Sequence, residues 1–266
     1  LYLSFNNLRE TPSHDYMKRM AKLGYLDCTF NKLEVVHSLG KEISPTSILL
    51  DNNCIHTITL GEDGYFCGLS QMETFSCSNN CLTKLPDLFS ARSIYTMLTV
   101  NFSSNQISEL ENVDEWRGVN TGTLNLADNR LATLPKRILG SGSIVEVLML
   151  SANGMRTIEE GAMIGANSTM LSTIDLSFNR LAELPKADFA EDNLPYLYGI
   201  DLSNNALSEF PRSLLEIDPL TVISIRQQRD DQGNRTLRDW PKGIGKHPTM
   251  AALYMGSNDL GEINDT

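Results

Sequence analysis

The chain has 266 residues, 41% of them hydrophobic, and its 33 Asp and Glu against 22 Lys and Arg leave a formal charge of -11 at pH 7. That length and apolar content suit one large core or two ordinary ones, and the acidic balance excludes a non-specific nucleic-acid binder, which needs a basic face for the phosphates. No run approaches the roughly 18 uninterrupted apolar residues of a transmembrane helix, and no basic-then-apolar leader precedes Leu1.

One pattern recurs from end to end. The segments LYLSFNNL, LDCTFNKL, ILLDNNCI, FSCSNNCL, VNFSSNQI, LNLADNRL, LMLSANGM, IDLSFNRL, IDLSNNAL and LYMGSNDL share one frame, with two apolar residues five and three places before an Asn and another two places after it. The ladder positions are Asn6, Asn31, Asn53, Asn80, Asn105, Asn129, Asn153, Asn179, Asn205 and Asn258, with Gln228 in the slot of a degenerate eleventh copy. Steps between copies run from 22 to 30 residues.

Strand side chains alternate with period two, so the residues at minus five and minus three point the same way. Leu124 and Leu126, or Ile174 and Leu176, are therefore expected to face inward, while Asn125 and Asp175 face out. A strand this short cannot bury its apolar side alone; copies stacked at about 4.8 Å form a parallel sheet over one continuous core, roughly 50 Å long for the whole chain. Asn ends each strand because its amide both donates and accepts, and so satisfies backbone groups that the turn leaves unpaired. The next apolar pair, Leu131 with Leu134 or Leu207 with Phe210, closes the base of the core. Pro86, Pro135, Pro185, Pro211 and Pro241 end the extended stretches.

Between strands, short helices or 3₁₀ turns are expected at 12–22, 186–193 and 212–217, with Phe89, Ile138, Phe189 and Leu214 as inward anchors. The returns at 59–68 and 111–120 read as loops, and the GSGS at 140–143 as a turn. Trp116 and Trp240 read as packing residues of return segments.

The frame resembles the leucine-rich repeat family, whose LxxLxLxxNxLxxLP pattern is best kept by LSTIDLSFNRLAELP at 171–185. The likeness covers the whole chain. A narrower likeness, to surface and secreted leucine-rich repeat proteins of Bacteroidetes, rests on RDDQGNRTLRDWPKGI at 229–244 followed by LYMGSNDL. The expected fold class is α/β: a curved leucine-rich repeat solenoid of about eleven repeats, with a parallel sheet on the concave face and loops and short helices on the convex face. It is expected to form a single domain over 1–266 and to be a fragment of a larger parent, since Leu1 opens in mid-strand and neither end has a polar cap. The resemblance implies an extracellular or cell-surface recognition module, lipid-anchored at the outer membrane. The family's Asn role carries over to the ten ladder positions and is expected to fail at Gln228.

Function then falls to the displayed surface. The outward positions at minus six, minus four and minus two are mostly small and polar, and their candidate binding residues are Tyr25, Asp27, Asp51, Asn101, Asn125, Met149, Asp175, Asp201, Arg226 and Tyr254. Either the groove holds an extended protein, peptide or glycan, or its Ser, Thr and Asn are what a solvated parallel strand tolerates. Hot spots favour Tyr, Trp and Arg, which moves weight to Tyr25 at one end and Arg226 with Tyr254 at the other. Asp175 and Asp201 occupy one column about 5 Å apart. A calcium site there needs Ser177 and Ser203 turned inward, and retaining-glycosidase chemistry needs an enclosed pocket that a shallow sheet lacks.

The irregular copy, near 226–241, inserts a mixed-charge segment with Arg229, Asp230, Asp231 and Arg235 as candidates. It reads either as a functional insertion or as a decoration held by local ion pairs. The five cysteines are odd in number and lie in the first third of the chain, so disulfides do not hold the rest together. Cys28 and Cys77 take inward positions, Cys54 and Cys81 follow the ladder Asn in adjacent copies within possible disulfide range, and Cys67 sits in a loop. His14, His37, His56 and His247 are scattered, no HExxH, CxxC or GxSxG motif occurs, and the N-x-S/T triplets at Asn101, Asn167, Asn234 and Asn264 are short enough to arise by chance. No catalytic residue, metal or cofactor is expected. Two functions remain: a non-enzymatic binding module for a protein, peptide or glycan, or a structural spacer or adhesin stalk that presents a neighbouring domain.

Overall fold

The structure, a computed structural model, describes residues 1–37, 43–58, 72–85, 97–110, 120–139, 144–163, 170–261 and 263. The expectations attached to 59–68, 111–119, 140–143, Pro86, Phe89, Trp116, Cys67, Asn167 and Asn264 lie outside these residues.

In chain order the strands are β1 (Tyr25–Asp27), β2 (Val35–Val36), β3 (Ser47–Leu49), β4 (Thr57–Ile58), β5 (Thr74–Ser76), β6 (Met97–Asn101) and β7 (Asn120–Asn125). They continue with β8 (Thr133–Leu134), β9 (Ile144–Met149), β10 (Thr157–Ile158), β11 (Thr173–Asp175), β12 (Gly199–Asp201), β13 (Val222–Ser224) and β14 (Ala252–Tyr254). Ten of them form a parallel sheet in the order β1-β3-β5-β6-β7-β9-β11-β12-β13-β14, which is chain order. Tyr2 adds a parallel bridge to Asp27. The two-residue strands pair separately, β2 with β4 and β8 with β10, and mark where the chain leaves the sheet for the opposite side.

The core is the inward face of that sheet. Leu26, Ile48, Phe75, Val100, Leu124, Leu148, Ile174, Ile200 and Ile223 stand in one register and are buried. Two places on, Cys28, Leu50, Cys77, Phe102, Leu126, Leu150, Leu176, Leu202 and Ile225 are fully buried. Each such aliphatic side chain stabilises the fold by about 1.5–3 kcal/mol through burial, but only because its neighbours above and below exclude water from it. Leu131, Leu134 and Leu207 close the base, with Ile138, Phe189 and Leu214 packed from the returns.

Amides tie the rungs together. The Asn153 Nδ2 donates to the carbonyls of Leu150 on its own rung (3.0 Å) and Leu126 on the rung before (2.9 Å), while its Oδ1 accepts from the Leu131 amide (3.1 Å). The same bonding recurs at Asn31, Asn53, Asn80, Asn105, Asn129, Asn179 and Asn205. Asn258 donates to the Ile225 and Met255 carbonyls, and the exposed Asn6 bonds only its own turn. Gln228 departs from expectation. Its Oε1 accepts from the Leu207 amide (3.0 Å) and its Nε2 donates to the Leu202 carbonyl (2.8 Å), so the longer amide does the inter-rung work of Asn.

The residue just before each ladder amide has a left-handed backbone: Phe5, Phe30, Asn52, Asn79, Ser104, Asp128, Ala152, Phe178, Asn204, Gln227 and Ser257 have φ from 51° to 62°. This single flipped residue ends the strand, and its N–H still bonds to the next rung, as Asp128 does to Ser151 (2.8 Å). In mid-sheet, β6, β7 and β9 run longer and add Met97, Thr121 and Val145 to the buried side. Gly122 makes this possible, because a Cβ there would lie 2.9 Å from the Leu98 carbonyl oxygen.

Two of the three returns expected to hold a short helix or 3₁₀ turn do so. The 12–22 stretch holds one helical turn, α1 (His14–Met17), and 212–217 holds a 3₁₀ turn at Arg212–Glu216. Residues 186–193 form turns rather than a helix. The buried Asp188 ties this return to its neighbour, its carboxylate turning back to accept from the Gly161 (2.9 Å) and Met163 (2.8 Å) amides of the preceding repeat. Among the described residues no helix is long and apolar enough to cross a membrane.

Candidate functional site on the concave face

The outward side of the sheet carries the candidate residues in columns. Asp27, Leu49, Ser76, Asn101, Asn125, Met149, Asp175, Asp201, Ser224 and Tyr254 are register partners from strand to strand. Tyr25 lies one column before them, and Asp51 and Arg226 two residues after. The structure thus brings these candidates onto one surface but spreads them along its length.

Each Asp or Asn in the central column has a task within its own strand. The Oδ1 of Asp27, Asn101, Asn125, Asp175 and Asp201 accepts from the backbone N–H two residues on, at 2.8–3.0 Å. The short side chain supplies that N–H with its acceptor, as an Asx turn does. Hydroxyls add to this: Thr29 donates to Asp27 and Ser177 to Asp175. Where the central residue is Ser76, Asp51 of the adjacent rung accepts instead from the Ser78 amide and from both the Ser76 and Ser78 hydroxyls, each at 2.6 Å. Ser177 and Ser203, needed as metal ligands beside Asp175 and Asp201, are buried among their neighbours, and the Ser203 hydroxyl pairs with that of Ser224 (2.7 Å). Among the described residues no three His, Cys, Asp or Glu converge as metal ligands.

The ends differ from the middle. Tyr2 and Tyr25 lie with ring centroids 5.1 Å apart, and Phe5 stacks on Phe30 at 4.5 Å with planes 6° from parallel. Partial burial, then the Asp27 carboxylate and the Tyr2 phenol, push the Tyr25 phenol above its ordinary pKa, so it stays a donor. At the other end the Arg226 guanidinium sits 4.4 Å above the Tyr254 ring, a cation–π contact that fixes a flexible side chain. Sequence reasoning missed the column before the ladder amide. Strict alternation gives it the inward parity of minus five and minus three, but the left-handed residue turns it out, leaving Phe5 76% and Phe178 62% exposed. The readable signal was a bulky residue directly before the Asn in the LSFN and CTFN copies.

The irregular copy folds into a tight hairpin with Arg229 bridged to Arg235 and Gly233 left-handed at its tip. The Asn234 side chain, then the backbone amides of Asn234, Gln232 and Gly233, hold the Asp230 carboxyl below its usual pKa. The ion pairs are not local, contrary to expectation. Arg229 donates to the Gly233 carbonyl and Arg235 to that of Asn258, whereas Asp231 reaches back to Arg156 (3.0 Å) and Arg180 (3.9 Å). Gln228 sets this direction by keeping the hairpin's base on the ladder, with Thr236 bonded to the Gln228 carbonyl at 3.1 Å.

The cysteines divide by burial. Burial, then the Asp27 charge, pushes the Cys28 thiol up to about 12, and burial likewise raises Cys77. Cys54 and Cys81 carry free thiols, Cys54 exposed.

No protein-family model matches this sequence. The chain has the leucine-rich repeat fold, and its structural neighbours include leucine-rich repeat proteins from Bacteroides. One, from Bacteroides eggerthii, is 36% identical with a TM-score of 0.87 over 99% of this chain and 44% of its own. Another, from Bacteroides thetaiotaomicron, is 34% identical with a TM-score of 0.86 over 99% of this chain and 32% of its own. Lumican from Gallus gallus is 27% identical over 254 residues, 91% of this chain and 60% of lumican. The chain therefore spans less than two thirds of each of these relatives.

Proposed function

We propose that this leucine-rich repeat chain is a non-enzymatic recognition module that binds an extended segment of an extracellular protein along its concave face, anchored at the two ends. The observation that carries this reading is the Arg226–Tyr254 stack at one end facing the Tyr2–Tyr25 pair at the other. Both anchors are held in place before any partner arrives, which reduces the entropy lost on binding. Nine strand spacings separate β1 from β14, about 43 Å at the usual interval, the reach of roughly 13 extended residues. The small polar middle leaves that path open. Its acidic column, Asp27, Asp175 and Asp201, keeps the second oxygen of each carboxylate for the partner's donors and favours a basic or neutral segment. An extracellular parent, lipid-anchored at the outer membrane, belongs to the same proposal; the likeness to lumican and to the Bacteroides proteins supports its extracellular part alone.

One observation favours a second reading, a spacer that positions a neighbouring domain: the Asp and Asn of the central column already bond their own strands. The deciding experiment screens the intact parent against arrays of extracellular proteins and of glycans, then repeats it with Tyr25, Arg226 and Tyr254 all replaced by Ala. A protein ligand whose affinity falls at least about tenfold in the variant supports the end anchors. No ligand, a glycan in place of a protein, or full affinity in the variant refutes the proposal.

A further inference from the structure

The lateral flank of the solenoid, where the chain leaves the sheet just after the ladder amides, carries a feature of its own. Arg130, Arg156, Arg180 and Arg229 emerge there from four of five successive rungs and are exposed, on a chain whose net charge is -11. Arg156 and Arg180 share one carboxylate, that of Asp231, which contacts the first through Oδ2 at 3.0 Å and the second through Oδ1 at 3.9 Å. Asp231 comes from 75 residues further along the chain, at the exposed tip of the hairpin. Beside this seat, and sharing Arg156 as its wall, opens a groove of about 750 Å³ with Ile158, Ala182 and Ala190 along its apolar part and Lys186, Glu160 and Glu183 around it.

We propose that Arg156 and Arg180 form a carboxylate-binding site, that Asp231 fills it as a built-in stand-in, and that its outside ligand is an exposed segment of a partner protein bearing one Asp or Glu beside an aliphatic residue. Three observations lead to this chemistry. The bound Asp231 shows that a carboxylate with one oxygen on each guanidinium fits the pair. All three side chains are more than half exposed, where ion pairs are weak and exchange readily with competing anions. The adjoining groove offers an aliphatic side chain a place next to the anchored acid. Glu160 and Glu183 limit the ligand to a single negative charge, because further acids or sulfates would meet those carboxylates. The hairpin is thereby a self-occluding arm: released, it uncovers the seat. This surface is separate from the concave face and does not depend on that reading.

The test uses fluorescence anisotropy with acetylated, amidated peptides in which one Asp or Glu stands beside Ala, Val, Leu or Ile, and with the same peptides carrying Asn or Gln instead. Asp231→Ala empties the seat and is expected to raise affinity for the acidic peptides roughly two- to thirtyfold, the equivalent of displacing two exposed ion pairs. Adding Arg156→Gln and Arg180→Gln to Asp231→Ala removes the gain, and adding instead Lys32→Gln, an exposed cation on a distant rung, leaves it intact. Melting temperatures of all variants, read by circular dichroism, verify the fold. The proposal is overturned if Asp231→Ala binds none of the peptides or gains nothing, if the amide peptides bind equally well, or if a heparin oligosaccharide binds more tightly than any of them.

Discussion

The ladder amides make a quantitative prediction, and Asn153 tests it best. Its side chain is the acceptor for the buried Leu131 amide and donates to the carbonyls of Leu126 and Leu150. Those carbonyls keep other partners, since Leu126 also accepts from Asn129 and Leu150 from Asn179. Asn153→Ala thus orphans one buried N–H, at about 1–3 kcal/mol, and removes two second bonds at about 0.5–1 kcal/mol each, for a total near 3 kcal/mol. Asn6→Ala removes bonds of an exposed side chain to its own turn and should fall within about 0.5 kcal/mol of the unsubstituted protein. Urea unfolding followed by circular dichroism gives the difference between the two, and hydrogen exchange gives the local signature: the Leu131 amide loses protection first. If Asn153→Ala unfolds within about 1 kcal/mol of Asn6→Ala, or if Leu131 stays as protected as before, the ladder is not what couples the rungs.

Two further outcomes follow from the same geometry. Gly122→Ala places its Cβ against the Leu98 carbonyl at 2.9 Å, whereas Gly199→Ala meets nothing within 4 Å; thermal melting should show the first destabilised by about 1–3 kcal/mol and the second nearly unchanged. The thiols should separate under a maleimide reagent at neutral pH, Cys54 reacting in the folded state while Cys28 and Cys77 react only on unfolding. Because the Cys28 thiol is raised from 9.0 to about 12, the unfolded state sheds its proton first. That contribution to stability is complete below pH 9.0 and is lost as pH rises toward about 12; Cys28→Ala should flatten this alkaline decline in a pH series of urea midpoints.

The repeat frame was legible because it is a direct consequence of strand alternation and stacking: a fixed spacing of Leu124, Leu126 and Asn129 suffices to name the inward face and the rung. The failures lie where one residue changes the rule or where distant residues meet. The residue before each amide went unread; strict alternation would turn it inward, and a single left-handed φ turns it out, exposing Phe5, Phe30 and Phe178. The 186–193 return, with Pro185 at its start, was expected to hold a short helix or 3₁₀ turn, and it forms turns in which Asp188 bonds the repeat before it. The family's Asn role was expected to fail at Gln228, yet its longer side chain makes the corresponding bonds to the Leu202 carbonyl and the Leu207 amide. Nothing local to Asp231 announces Arg156 and Arg180, because that contact exists only after the rungs have stacked.

The exposed phenylalanines bear on function through the same flipped residue. A left-handed backbone disfavours side chains with a Cβ, least so for Asn and Asp, whose short polar groups bond locally. The chain uses those residues at Asn52, Asn79, Asp128 and Asn204 in this column, yet places aromatic rings at Phe5, Phe30 and Phe178. Stability alone does not favour that choice, since each ring combines a disfavoured backbone with apolar area left in water. In the central column the reverse holds: Asn125 and Asp201 meet an internal demand for a hydrogen bond, so their polarity needs no partner to explain it. Surface chemistry that the fold itself does not use is therefore concentrated in the aromatic rings, in Arg226 on Tyr254, and in the arginines of the flank. Those side chains are where a partner gains most, because contact at the rings displaces water from apolar faces and contact at the flank exchanges only the exposed ion pairs of Asp231.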